Sequence, residues 1–231
     1  MIRRLAIGIF TCCAVTCAMA QQVEKKATPV HTQHYNQLIT MFENEPPITH
    51  RNYVMLGNSL TEFGGNWNKL LTGKDVGKFV NRGIMGDDAM GIYDRLYQIL
   101  PYHPKKIFLM AGINDISHQL TADSVVVLVT KVIDKILAES PKTKLYLQSL
   151  LPINESFHRW KTMEGKTEEV YEVNCKLRQI AAARNIVYID LFSLFTYPNT
   201  HIMRKELSLD GLHLLPPGYE IWSKALQPYI R

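Results

Sequence analysis

From Asn52 onward, short apolar runs alternate with segments in which apolar residues return every three or four positions. Runs of the first kind suit strands buried on both faces and segments of the second kind suit amphipathic helices, so the alternation predicts a parallel sheet covered by helices. Strands are expected at residues 53–56, 79–81, 107–111, 144–148 and 186–189. Helices are expected at residues 28–45, 88–100, 121–139 and 167–184, with a last one beginning near Pro216 and Pro217, where proline suits a first turn. In the segment 121–139, Val125, Val129, Val132, Ile133, Ile136 and Leu137 share one face, Thr121 stands as N-cap and Pro141 lies beyond the end. Val170, Val173, Leu177 and Ile180 mark the inner face of the next helix. There is no internal repeat, low-complexity tract or linker, so residues 21–231 read as a single domain.

The first twenty residues break the pattern. Met1-Ile2-Arg3-Arg4 is a basic start, residues 5–15 are an apolar run too short to span a bilayer, and Ala18-Met19-Ala20 is a small-x-small cleavage pattern. Residues 1–20 therefore read as a signal peptide, and the mature chain as secreted or periplasmic. Lipoprotein anchoring at Cys17 is the lesser alternative, because Thr16 is larger than such processing prefers. Cys12, Cys13 and Cys17 fall inside the signal and leave Cys175 alone, which excludes an intramolecular disulfide and a cysteine zinc site in the mature chain. On its helical pattern Cys175 is expected to be a buried or half-buried structural thiol.

A chain of 231 residues with 46% hydrophobic and 20% charged composition has enough material for one buried core. No apolar run reaches the roughly 18 residues of a spanning helix. The formal charge of +5 falls to +3 without Arg3 and Arg4, 24 basic against 21 acidic side chains, which is too weak and scattered for a nucleic-acid surface.

In an open parallel sheet the ligand crevice lies beyond the carboxyl ends of the strands. Polar and glycine signals stand there: Gly57-Asn58-Ser59-Leu60, then Asn81-Arg82-Gly83-Ile84-Met85-Gly86, then Gly112-Ile113-Asn114-Asp115, and before the last helix Asp210-Gly211-Leu212-His213. A serine at a strand-to-helix turn becomes a nucleophile when a base takes its proton. His213 can be that base, and Asp210 can hold its imidazole in the useful tautomer. The backbone N–H groups of Ser59 and Gly83 and the side-chain amide of Asn114 can supply an oxyanion hole. Asp115 is expected to brace its loop, and Asp87 and Asp88 to sit at a helix N-terminus rather than form a metal pair. His31, His34, His50, His103, His118 and His201 lack metal-ligand spacing and are expected at the surface.

These four blocks, Gly57-Asn58-Ser59-Leu60, Asn81-x-Gly83, Gly112-x-Asn114-Asp115 and Asp210-x-x-His213, resemble those of the SGNH, or GDSL-type, hydrolases over residues 52–230. The branch with platelet-activating-factor acetylhydrolase catalytic subunits and carbohydrate O-acetylesterases is the most similar. The resemblance implies a three-layer, flavodoxin-like, doubly wound α/β fold with five parallel strands and helices on both faces. It also implies ester hydrolysis without metal or other cofactor, with Ser59, Asp210 and His213 catalytic and Ser59, Gly83 and Asn114 in the oxyanion hole. Asn58 departs from the family's usual aspartate; if that position only fixes the turn, asparagine can substitute. Residues 151–165, with Asn154, His158, Arg159 and Trp160, are either a crevice lining or a solvated loop. Trp160 and Arg82 are candidate substrate contacts, although an outward-facing Arg82 is the simpler expectation. The expected substrate is a small acylated molecule, an acetylated carbohydrate such as O-acetylated sialic acid or polysaccharide. A lysophospholipase or thioesterase, an acyltransferase, and a non-catalytic binding module are the alternatives. Oligomeric state is not legible.

Overall fold

The computed structural model describes residues 32–230. The signal segment, Cys17 and His31 lie outside the described residues. Five strands, β1 (Tyr53–Gly57), β2 (Phe79–Gly83), β3 (Lys106–Leu109), β4 (Lys144–Gln148) and β5 (Val187–Ile189), form one all-parallel sheet in the order β2-β1-β3-β4-β5. The chain enters in the middle, steps to one edge and then crosses back to the other side, so the order reverses between β1 and β3. That reversal leaves the carboxyl ends of β1 and β3 facing a crevice. β1 is hydrogen-bonded on both sides and buried at every position, which is why it reads as an unbroken apolar run.

Helix α1 (Gln33–Asn44) precedes β1 and starts at Thr32, whose hydroxyl accepts the Tyr35 N–H at 3.0 Å. The helix Ala122–Glu139 packs against both Ala89–Asp94 and Thr167–Ala183, burying Val125, Val129, Val132, Ile133 and Ile136, with Thr121 as its N-cap. The helix Pro216–Leu226 packs against Trp67–Thr72, where Trp67 and Trp222 meet edge to face at 5.1 Å.

Two expectations need correction. The segment 88–100 is not one helix but a short α-helix, Ala89–Asp94, followed by 3-10 turns at Arg95–Gln98 and Leu100–Tyr102. Arg95 is drawn into the interior by partners on other elements, and Pro101 has no N–H to continue the ladder. Cys175 is exposed. The buried stripe of its helix is Val170, Val173, Asn174, Leu177 and Ala181, and the residue after Asn174 is turned about 100° off it.

Candidate active site

At the end of β1 the strand turns directly into helix α2 (Ser59–Glu62). Asn58 makes the turn: its Oδ1 accepts the Leu60 N–H at 3.0 Å, and its carbonyl accepts Thr61 N at 3.1 Å and Glu62 N at 2.9 Å. The turn function of the family's aspartate is therefore met by the amide oxygen, while Asn58 Nδ2 is buried with no partner among the described residues. Close approach requires the two flanking glycines. A Cβ on Gly57 would stand 2.3 Å from Thr61 Oγ1, and one on Gly83 would stand 2.1 Å from the Glu62 backbone nitrogen.

The C-terminal loop brings His213 to this turn. Ser59 Oγ lies 3.0 Å from His213 Nε2, and His213 Nδ1 lies 2.8 Å from Asp210 Oδ2. The other carboxylate oxygen of Asp210 accepts the N–H groups of Leu212 at 2.9 Å and His213 at 2.7 Å. Burial alone would raise the Asp210 pKa, but the bonds from the imidazole and the two amides outweigh it and hold the carboxyl below its usual range. Ser208 locks the loop by donating to the His213 carbonyl at 2.7 Å while accepting Gly211 N at 2.9 Å. Gly211, at φ +83°, passes so close to Asn154 that a Cβ would meet the Asn154 carbonyl at 2.2 Å. Asn154 is buried against that loop, and its backbone donates to the Gly211 carbonyl at 2.8 Å.

The donors around Ser59 are arranged differently from expectation in one respect. Asn114, at the start of the helix Ile113–Ser117, donates one amide hydrogen to the Asp87 carbonyl at 2.7 Å, which leaves the second for another acceptor. The Gly83 N–H is occupied, since Asn81 Oδ1 accepts it at 2.9 Å in a local side-chain turn. Gly86, three residues on, is exposed at φ +81°, and its N–H has no acceptor among the described residues. It directly precedes the Asp87 carbonyl that holds Asn114. The only sequence signal for Gly86 was its place as the second glycine of that block.

Two aromatic rings flank the imidazole. Trp160 is 5.4 Å from it at 69°, and Phe63, one residue past α2, is 5.2 Å away at 47°. Both are exposed, as is Met85 in the loop after β2. Phe63 had no signal in the sequence beyond following the block Gly57-Asn58-Ser59-Leu60. Arg159 is exposed.

Arg82 is neither outward-facing nor aimed at Ser59. It is 3% exposed, with Nη1 2.7 Å from Glu45 Oε2 and 2.8 Å from the Asn81 carbonyl, and its guanidinium lies 4.3 Å over the Phe42 ring. Period-two alternation along β2 turns this side chain under α1, where a cation-π contact and an ion pair offset its burial. Beside it, a cleft of about 740 Å³ runs between α1 and the edge strand β2, and none of Ser59, Asp210 and His213 lines it. His34 of α1 reaches Glu62 at 2.9 Å, and Glu62 also accepts the Met85 N–H. His34 and His201 are thus half-buried and carboxylate-paired rather than free at the surface.

Asp115 braces its loop as expected, accepting the Ala89 N–H at 3.0 Å, and Asp88 caps its helix through Gly91 N at 2.9 Å. Asp87 is instead drawn inward to pair with Arg95 at 2.7 Å. Among the described residues, no three His, Cys, Asp or Glu side chains are grouped to hold a metal.

Solved structures share this architecture over most of this chain and nearly all of their own length. A Streptococcus pneumonia protein provisionally described as a platelet activating factor is 25% identical, with a TM-score of 0.75 over 93% of this chain and 99% of its own. A GDSL-like lipase of Bacteroides thetaiotaomicron is 18% identical, with a TM-score of 0.72 over 84% and 95%. An acetyl xylan esterase is 20% identical, with a TM-score of 0.63 over 78% and 100%. No functionally curated protein matches the chain. The sequence profile of the GDSL-like lipase/acylhydrolase family matches residues 55–221, from β1 and the turn at Asn58 into the last helix. With most of the chain inside that match, this protein belongs to the GDSL-like lipase/acylhydrolase family.

Proposed function

We propose that the protein is a serine esterase that removes short acyl groups, acetyl foremost, from a carbohydrate. The observation that carries the reading is the continuous relay from Ser59 Oγ through His213 to Asp210, at 3.0 and 2.8 Å. Ser59 Oγ attacks the ester carbonyl as His213 takes its proton, and the Asp210 carboxylate stabilises the imidazolium. The oxyanion is met by the Ser59 N–H, which has no acceptor among the described residues, the second hydrogen of the Asn114 amide and the N–H of Gly86. His213 returns its proton to the leaving alcohol. Water, deprotonated by the same imidazole, then releases the acid from Ser59.

A small acyl group is favoured because the long connections near the site, residues 151–165 and 192–208, hold no continuous apolar helix to serve as a lid. The exposed indole of Trp160 beside His213 suits stacking on a sugar ring. The acetyl xylan esterase of the same fold acts within this chemical class. Export through residues 1–20 belongs to this reading, since polymeric carbohydrate is met outside the cytoplasm. A second reading, lysophospholipase activity, draws on the exposed apolar rim of Phe63, Met85 and Trp160.

Acetate release from acetylated xylan fragments and O-acetylated sialic acid, with lysophospholipid and thioester controls, tests the substrate. A chain-length series on one leaving group tests the acyl side. Each buried methylene is worth about 0.8 kcal/mol, so a long-chain enzyme gains in kcat/KM with length. Here acetyl is expected to be best and octanoyl poor. A maximum at eight carbons or more rejects the acetyl and carbohydrate readings and favours the lysophospholipase. Failure of a fluorophosphonate to label Ser59 rejects the enzyme reading altogether.

A further inference from the structure

Arg95 is 1% exposed and lies behind the site, not in it. Its Nε donates to Asp87 Oδ2 at 2.7 Å, and its Nη2 donates to the Gly57 carbonyl at 2.9 Å. Gly57 ends β1 two residues before Ser59, and its carbonyl also accepts the Ile84 N–H at 3.1 Å. Asp87 closes the loop after β2: its N–H donates to the Ile84 carbonyl at 3.1 Å, and its own carbonyl receives the Asn114 amide at 2.7 Å. One guanidinium therefore spans the strand end that carries the nucleophile and the residue that holds the oxyanion amide.

The fold makes room for this brace. A Cβ on Gly91 would fall 1.9 Å from Asp87 Oδ1, so only glycine lets the carboxylate lie against that helix. The helix itself gives way to a 3-10 turn where Arg95 leaves it. A buried ion pair is costly to desolvate and is often replaceable by apolar packing without loss of stability. Its presence here, with hydrogen bonds to both sides of the crevice, is explained by geometry that apolar packing would not specify.

We propose that Arg95, acting through Asp87 and Gly57, is a positioning residue that fixes the spacing between Ser59 and the Asn114 amide; this rests on the esterase reading above. A guanidinium can hold both acceptors at once because its donors form a rigid fork, whereas an ammonium is a single point. Arg95→Lys keeps the charge opposite Asp87 and loses the span.

The test measures kcat and KM on an activated acetyl ester, the rate of fluorophosphonate labelling of Ser59, and Tm for wild type, Arg95→Lys, Arg95→Met, Asn114→Ala and the Arg95→Lys/Asn114→Ala double variant. Arg95→Lys is expected to lower kcat and the labelling rate by about 10²-fold, the scale of a misplaced catalytic group, with KM changed little. In the Asn114→Ala background the same substitution is expected to cost no more than about threefold, because the two residues act on one donor. Arg95→Met should lose stability as well, and Arg95→Lys separates that loss from the catalytic one. Equal losses in both backgrounds, or a folded Arg95→Lys with full kcat, overturn the proposal. Wild type that is not labelled at Ser59 overturns the esterase reading and the brace with it. Labelled wild type with unaffected Arg95 variants overturns the brace alone.

Discussion

Replacing Asp115 with Asn should stabilise the protein at neutral and alkaline pH and change little near pH 4. Asp115 is 1% exposed, its Oδ2 accepts the Ala89 N–H, and its Oδ1 has no hydrogen-bond partner among the described residues. Burial, with the nearby Asp88 carboxylate second, raises its pKa from 3.8 to about 7, against the backbone N–H groups of Ala89 and Asp115 and the charge of His118. The folded chain then holds a proton that the unfolded chain has released between pH 4 and 7. Stability from this group is complete below the unfolded value and is lost as pH rises through the folded one. At about 1.36 kcal/mol per pH unit, the rise from 3.8 to about 7 sets the loss at no more than about 4 kcal/mol. Asparagine keeps an oxygen for Ala89 N and never ionises. His118 is raised as well, by its bond to Asp88 first, against burial, and its contribution falls with rising pH in both proteins. Urea unfolding of wild type and Asp115→Asn from pH 4.5 to 8.5 should show a gap in favour of Asn that widens to pH 7 and then levels. A gap independent of pH, or a less stable Asn variant at pH 8, would refute the reasoning.

Ser59→Ala or His213→Ala should lower turnover on an activated acetyl ester by at least about 10³-fold, with Asp210→Asn somewhat less severe; steady-state kinetics decide it, and most activity retained in Ser59→Ala would sink the triad. Asn114→Ala should cost about 10²- to 10³-fold in kcat with KM nearly intact, because the donor matters chiefly in the transition state. An effect confined to KM would make it a binding residue. Gly83→Ala should destabilise by about 3 kcal/mol in thermal unfolding, since its Cβ would stand 2.1 Å from a backbone atom that cannot rotate away. An unchanged Tm would mean the strand and nucleophile helix separate at no cost.

How much was legible depended on whether a residue's role rests on its neighbours in sequence or on its neighbours in space. The strand at Lys144–Gln148 falls at its expected limits because burial on both faces leaves an apolar run between polar turns. The helix Ala122–Glu139 and its Thr121 cap were equally plain, since period, cap and stop all lie within twenty residues. Ser59, Asn114, Asp210 and His213 were legible as candidates because each sits in a short block at a strand end or before the last helix. Gly83 was assigned a free N–H because nothing in the order of residues says that Asn81 folds back to accept it.

By itself, the sequence determined a five-stranded parallel α/β domain and the residue types that could carry acyl transfer at its crevice, because periodicity and strand-end chemistry are local properties of the chain. Only the tertiary structure decided which N–H groups near Ser59 remain free, that Arg82 lies under α1, that Cys175 faces outward, and that Phe63 and Trp160 flank the imidazole. Arg95 is the sharpest case: its two acceptors are 8 and 38 residues away, and an ion pair of that kind is held by packing that sequence periodicity does not record.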